Sequence, residues 1–224
     1  MKVDPAKNYA VVSGDFIGFS GLPAETREAS YHLVKQAGAE LARMFPSAMP
    51  WEVDMFRGDG WQFVLADPII SLRAALFFRA YLRARAGGHP TDVRLAIGVG
   101  PIDYVPDNRV SAGDGTAFRL SGRLLDQMAM QKTGSMRFVM EDEKRSLPLD
   151  GITLMIGALA DNWTERQARA VAGALQGLTI MQISEQWPDK ISRQAVGKHL
   201  ARARWPEIQT GLKIFESAAS KPEI

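Results

Sequence analysis

Two acidic residues in strand-like surroundings are the positions in this chain best suited to metal chemistry: Asp15 in "VVSGDFIGFS" (residues 11–20) and Asp59 in "MFRGDGWQFVL" (residues 55–65). Taken singly, either is a routine capping or hairpin residue. The pair is different. The end of one strand and a hairpin turn between two others can lie side by side in a sheet, and two facing carboxylates repel unless a cation sits between them. Oxygen ligands with a bound phosphate suit Mg²⁺ or Mn²⁺. The backbone amides of Phe16, Ile17 and Gly18 offer donors to such a phosphate. Arg57 and Arg119 can add positive charge beside it, or can be ordinary surface residues.

The elements that must position these acids follow from periodicity. Short β-rich runs near 8–14, 51–57, 60–65, 93–99 and 136–140 alternate with helical stretches at 24–44, 69–86 and about 115–131. Gly58 and Gly60 around Asp59 mark a tight turn. The order strand, helix, strand, turn, strand, helix, strand predicts an α+β, ferredoxin-like βαββαβ domain. Beyond "LPLDG" (147–151) every periodic segment reads as helix, which places a domain of residues 1–148 before an all-α helix-turn-helix domain of residues 149–224.

Within that tail, Thr164 with Gln167 and Thr179 with Gln182 stand at capping-box spacing. Gly177 closes the first helix and Pro188 stops the second. Ser192 caps a third, with Val196, Leu200 and Ala203 on one face and Gln194, Lys198, Ala201 and Arg202 on the other. Residues 190–204 carry five basic side chains and no acid. Lysine and arginine contact phosphate or guanine, and glutamine pairs with adenine, so Ser192, Arg193, Gln194, Lys198 and Arg202 are the expected contacts to double-stranded DNA. The bland alternative is a solvated three-helix cap.

The motifs resemble a known family. "SGDFIGFS" is similar to the first metal-binding segment of class III adenylate and guanylate cyclases, "RGDGWQFVL" to the second, "DVRLAIGVGPI" (92–102) to the following strand, and "GDGTAFRLSGRL" (113–124) to the glycine-led helix after it. The likeness spans about residues 8–140. It implies that Asp15 and Asp59 are metal ligands, that Arg123 is the catalytic arginine stabilising phosphate charge in an active enzyme, and that the chain is a homodimer. Met55 and Ala112 stand where the purine-selecting polar residues would be, and Arg119 replaces the ribose-orienting asparagine. Metal-assisted phosphate binding therefore survives the comparison better than ATP cyclisation. Both halves together, with "ARARW" near the end, resemble the SatD family of bacterial proteins.

Bulk properties bound these readings. With 224 residues and 46% hydrophobic content the chain can bury a real core. A net charge of +2 is too small to announce a nucleic-acid partner by itself. The absence of cysteine excludes disulfides, thiolate metal sites and a cysteine nucleophile. Neither a membrane-length apolar run nor a signal-peptide core is visible, so a cytoplasmic location is expected. No phosphate-binding loop, dinucleotide fingerprint or nucleophile elbow occurs. The three histidines are scattered, which disfavours zinc. The reading is a DNA-binding transcriptional regulator whose cyclase-like domain senses a nucleotide or phosphorylated small molecule with Mg²⁺ or Mn²⁺. The alternatives are an active nucleotidyl cyclase or palm-type nucleotidyltransferase, and a non-catalytic interaction module.

Overall fold

The computed structural model describes residues 3–56, 58–87, 92–106 and 109–220. Its frame is a five-stranded sheet. Strand β1 (Tyr9–Phe16) lies at the centre between β3 (Gly60–Leu65) and β4 (Val93–Gly100), with β2 (Asp54–Phe56) at one edge and β7 (Met136–Met140) at the other. All pairings are antiparallel except β4 with β7. The β2-β3-β1-β4 order, with α1 (Ala24–Met44) and α2 (Ser71–Arg83) as the crossovers, is the ferredoxin-like arrangement expected from the sequence. A second, two-stranded sheet joins β5 (Ile102–Tyr104) to β6 (Asp114–Gly115).

Alternation along β1 splits the side chains between two cores. Ala10, Val12 and Phe16 face α1 and α2, and Tyr9 and Val11 face the side covered by α3 (Thr116–Gln131). Helix α2 is buried on nearly its whole circumference because the C-terminal helices cover the side that the sheet does not. Helix α3 comes close to β4 where the strand has no side chains: a Cβ at Gly98 would sit 2.5 Å from the Ala117 carbonyl oxygen and from the Ser121 amide.

The C-terminal half is helical throughout: α4 (Glu143–Asp161), α5 (Glu165–Leu175), α6 (Ile180–Glu185), α7 (Arg193–Arg202) and α8 (Trp205–Ala219). Helix α4 starts at Asp142, whose side chain accepts from the Lys144 and Arg145 amides. It runs straight through position 148 and carries Pro148 inside it, so the expected boundary falls within a helix. Leu149, Ile156, Ala160 and Trp163 belong to the same hydrophobic cluster as the sheet residues Val12 and Ile97.

Candidate functional site

Strand pairing decides what surrounds Asp15. Its direct neighbours are Gly60 on β3 and Arg94 on β4. Asp59 immediately precedes Gly60, in a turn where Gly58 takes the left-handed φ of 82°, so the fold brings both acids to one end of the sheet, as the hairpin argument required. Asp15 is not, however, an open ligand. One of its oxygens accepts from Arg94 Nε at 2.9 Å and the other from Arg94 Nη2 at 2.7 Å. These side chains are only 18% and 22% exposed, so a partly shielded, two-pronged ion pair already neutralises the carboxylate. Among the described residues no group of three or more His, Asp or Glu is placed to share a metal ion. In this arrangement the Asp15 carboxylate is held by a guanidinium, which a metal ion would have to displace.

The phosphate-binding expectations fare unevenly. Phe16 is buried and stacks on Phe19 with ring centroids 5.3 Å apart. The Ile17 amide donates to the Asp92 carbonyl at 2.8 Å and so is already engaged. Gly18 adopts φ 74° in an open turn. Arg57 lies outside the described residues. Arg119 pairs with Asp114 at 2.8 Å and Asp103 at 3.7 Å. Arg123 is exposed, two positions from the buried Ser121 that faces the sheet, and helical spacing therefore turns it to the outer side of α3. Within one chain Arg119 is held by acids other than Asp15, and Arg123 points outward from α3.

Sequence reasoning missed the polar groups that do meet there. Two residues along the same strand face, Ser13 accepts from Gln62 Nε2 at 2.8 Å and shares a 2.9 Å hydrogen bond with Ser121 Oγ, a buried chain from β3 through β1 to α3. It also missed Arg79, which is 1% exposed. Arg79 donates to both Asp92 oxygens at 3.0 and 2.7 Å, to Asp161 at 2.7 Å, to Ser135 Oγ at 2.8 Å and to the Gly157 carbonyl at 3.1 Å. Arg83 reinforces this hub, reaching Asp92 at 2.7 Å and the Trp163 carbonyl. Asp92 thus holds the turn after Asp15 with its carbonyl while its carboxylate binds Arg79 and Arg83, which themselves reach Asp161 and the Trp163 carbonyl of the helical half.

In that tail the caps form as their spacing predicts. Thr164 and Thr179 make reciprocal capping boxes, and Ser192 accepts from the Ala195 amide at 3.1 Å. Val196, Leu200 and Ala203 are buried, whereas Arg193, Gln194, Lys198, Ala201 and Arg202 are exposed. The 186–192 connection between α6 and α7 is longer than the compact turn of about 3–4 residues. His199 stacks on Trp187 with centroids 5.8 Å apart, and the Arg169 guanidinium lies 5.7 Å from that indole. Burial holds the His199 imidazole below its ordinary pKa, and the charges of Arg166 and Arg202 lower it further. Arg166 of α5, an exposed residue, is thus near enough to His199 of α7 for its charge to be felt there.

No family model matches this chain, and no curated relative does either. Several solved structures are similar, among them two cyclases. The guanylyl cyclase Cya2 is 17% identical with a TM-score of 0.43, over 56% of this chain and 72% of that one. A bacterial light-regulated adenylyl cyclase is 15% identical with a TM-score of 0.40, over 61% of this chain and 45% of that one, so the chain spans less than half its length. The ferredoxin-like assignment rests on the strand pairing described above. No helix among the described residues is long and apolar enough to cross a membrane.

Proposed function

We propose that this chain is a regulator that binds duplex DNA through α7, in a helix-turn-helix formed by α5, α6 and α7. One observation carries the reading. Helix α7 is anchored on one side by buried Val196 and Leu200 and leaves Gln194, Lys198 and Arg202 exposed on the other, with Arg193 exposed in its first turn. A basic helix face with no acid neutralises phosphates and releases their counterions. Ser192 pins the helix start, and the exposed Ala201 adds no bulk to the outer face.

The α+β domain is the sensing half in this proposal, with a nucleotide or phosphorylated small molecule as its ligand. Its tie to the tail supports the assignment: Arg79 reaches Asp161, Arg83 reaches the Trp163 carbonyl, and Arg169 reaches the Ala84 carbonyl at 2.7 Å. A ligand acts through such a tie only by binding two arrangements of it with different affinity.

Fluorescence anisotropy with mixed-sequence duplex DNA over a salt series tests the reading. Salt-sensitive binding that Lys198→Glu with Arg202→Glu abolishes is expected. Binding untouched by that double substitution, or none at low salt, removes it.

A nucleotidyl-transfer reading rests on Asp15 and Asp59 sharing one end of the sheet. It requires Arg94 to release Asp15. Pyrophosphate release from nucleoside triphosphates with Mn²⁺, lost in Asp15→Asn, would favour it over the regulator alone.

A further inference from the structure

We infer that the outer face of α4 is the surface through which two copies of this chain associate, as an antiparallel helix pair about a two-fold axis near residue 153. The inference goes beyond the DNA-binding reading and does not depend on it.

Helix α4 is apolar on both sides. Its inner side (Leu149, Thr153, Ile156, Ala160) is buried in the fold. Its outer side consists of Leu147, Gly151, Leu154, Met155, Ala158 and Leu159, with Leu147 and Met155 exposed at 75% and 64%. No charged residue occurs between Asp150 and Asp161. A helix apolar all round belongs in an interior; here Leu154 leans over Gly134 in the turn before β7, and the described residues leave the rest of the face largely open. Scattered exposed leucines need no explanation, but a continuous helix face of them marks a contact surface.

Shape and charge select a second copy as the occupant. The small residues Gly151 and Ala158 lie seven positions apart along the middle of the face, with Leu147 and Leu154 seven apart on one shoulder. An antiparallel pairing about residue 153 sets Met155 of one copy on Gly151 of the other and Leu147 against Leu159, so each large side chain meets a gap or an apolar partner. Such a contact is isologous and closes on itself. The same register brings exposed Lys144 of one copy to Asp161 of the other, whose side chain is 43% exposed. The open apolar area is on the order of 500 Å² per copy, so the pair buries on the order of 1,000 Å², the threshold for a specific interface. A lipid surface is disfavoured by Glu141, Asp142 and Glu143 at the head of the helix, which repel an anionic bilayer.

Sedimentation of the full chain without DNA, from about 1 to 100 μM, reads the association in the range expected of a minimal interface. A concentration-dependent dimer is expected. Met155→Glu and Leu147→Glu, each folded by circular dichroism, should raise the dimer dissociation constant at least tenfold, and the neutral Met155→Gln should shift it in the same direction. The exposed α8 control Gln209→Glu should leave it unchanged. A chain monomeric at 100 μM, a dimer indifferent to all three face substitutions, or a monomer that partitions onto anionic vesicles would each overturn the inference.

Discussion

Two helix faces in the C-terminal half are largely open among the described residues, and they differ in chemistry. The outer face of α7 carries Gln194, Lys198 and Arg202, whereas that of α4 carries leucine, methionine and small residues. Water satisfies the first. It becomes a contact only when a polyanion supplies phosphates and sheds its counterions. The second is unfavourable in water whatever else is present, at about 25 cal/mol for each Å² left open. One face is therefore conditional on a ligand and on salt, and the other drives association under all conditions. The comparison teaches that exposure alone does not identify a site, because the same openness means hydration in one place and incompleteness in the other.

The comparison can be broken most forcefully from beneath. Arg79 ties the sheet to the helical half directly, donating to Asp161 at the end of α4 and to the Gly157 carbonyl within it. Replacing it with methionine removes the arginine partner of Asp161 and one of the two arginines at Asp92, where Arg83 remains, which should cost about 1–3 kcal/mol in urea unfolding. A wild-type midpoint would show that the hub is dispensable. Salt sharpens the contrast next. If α7 neutralises roughly four phosphates, raising salt from about 50 to 200 mM should weaken DNA binding about 100-fold, while the dimer measured in the same buffers holds or tightens. Parallel weakening of both would erase the distinction.

A smaller effect isolates α7. Ser192→Ala removes the hydrogen bond to the Ala195 amide and should lower stability by about 1 kcal/mol, with a matching loss of DNA affinity if the helix start positions Arg193. The least effect is expected from pH. The folded His199 pKa is depressed by burial, then by Arg166 and Arg202. The unfolded chain therefore takes up a proton first as pH falls. Stability is full above about 6.5 and declines as pH drops through that value toward the lower folded pKa. Nearby DNA phosphates reverse the bias, so affinity should rise over the same window. His199→Gln should flatten both curves; identical pH profiles for variant and wild type would count against the placement of His199 beside the basic face.

Local signals in the sequence were legible where they carry their own geometry. The glycine turn around Asp59, the two capping boxes and the Val196, Leu200, Ala203 face all formed as their spacing predicts, because each is decided within a few residues. Helix α4 was not legible. Its apolar residues follow no single face, so no amphipathic period announces it, and Pro148 reads as a stop. The sheet-end convergence of Asp15 and Asp59 was visible in the order of elements, but the ion pair that Asp15 makes with Arg94 was not. It required knowing which residue of β4 stands opposite Asp15, and register is a tertiary quantity.

The sequence by itself determined the succession of strands and helices in the ferredoxin-like unit, the anchored and exposed sides of α7, and the presence of two acids beside strands, since propensity, capping and periodicity act over short stretches of chain. Only the tertiary structure decided that Arg94 occupies both oxygens of Asp15, that Arg79 binds the sheet to the tail, and that α4 is left with a bare apolar side. Those outcomes depend on strand register and on which surfaces the last helices cover. Both are set by long-range packing, in which residues 79 positions apart become hydrogen-bonded neighbours.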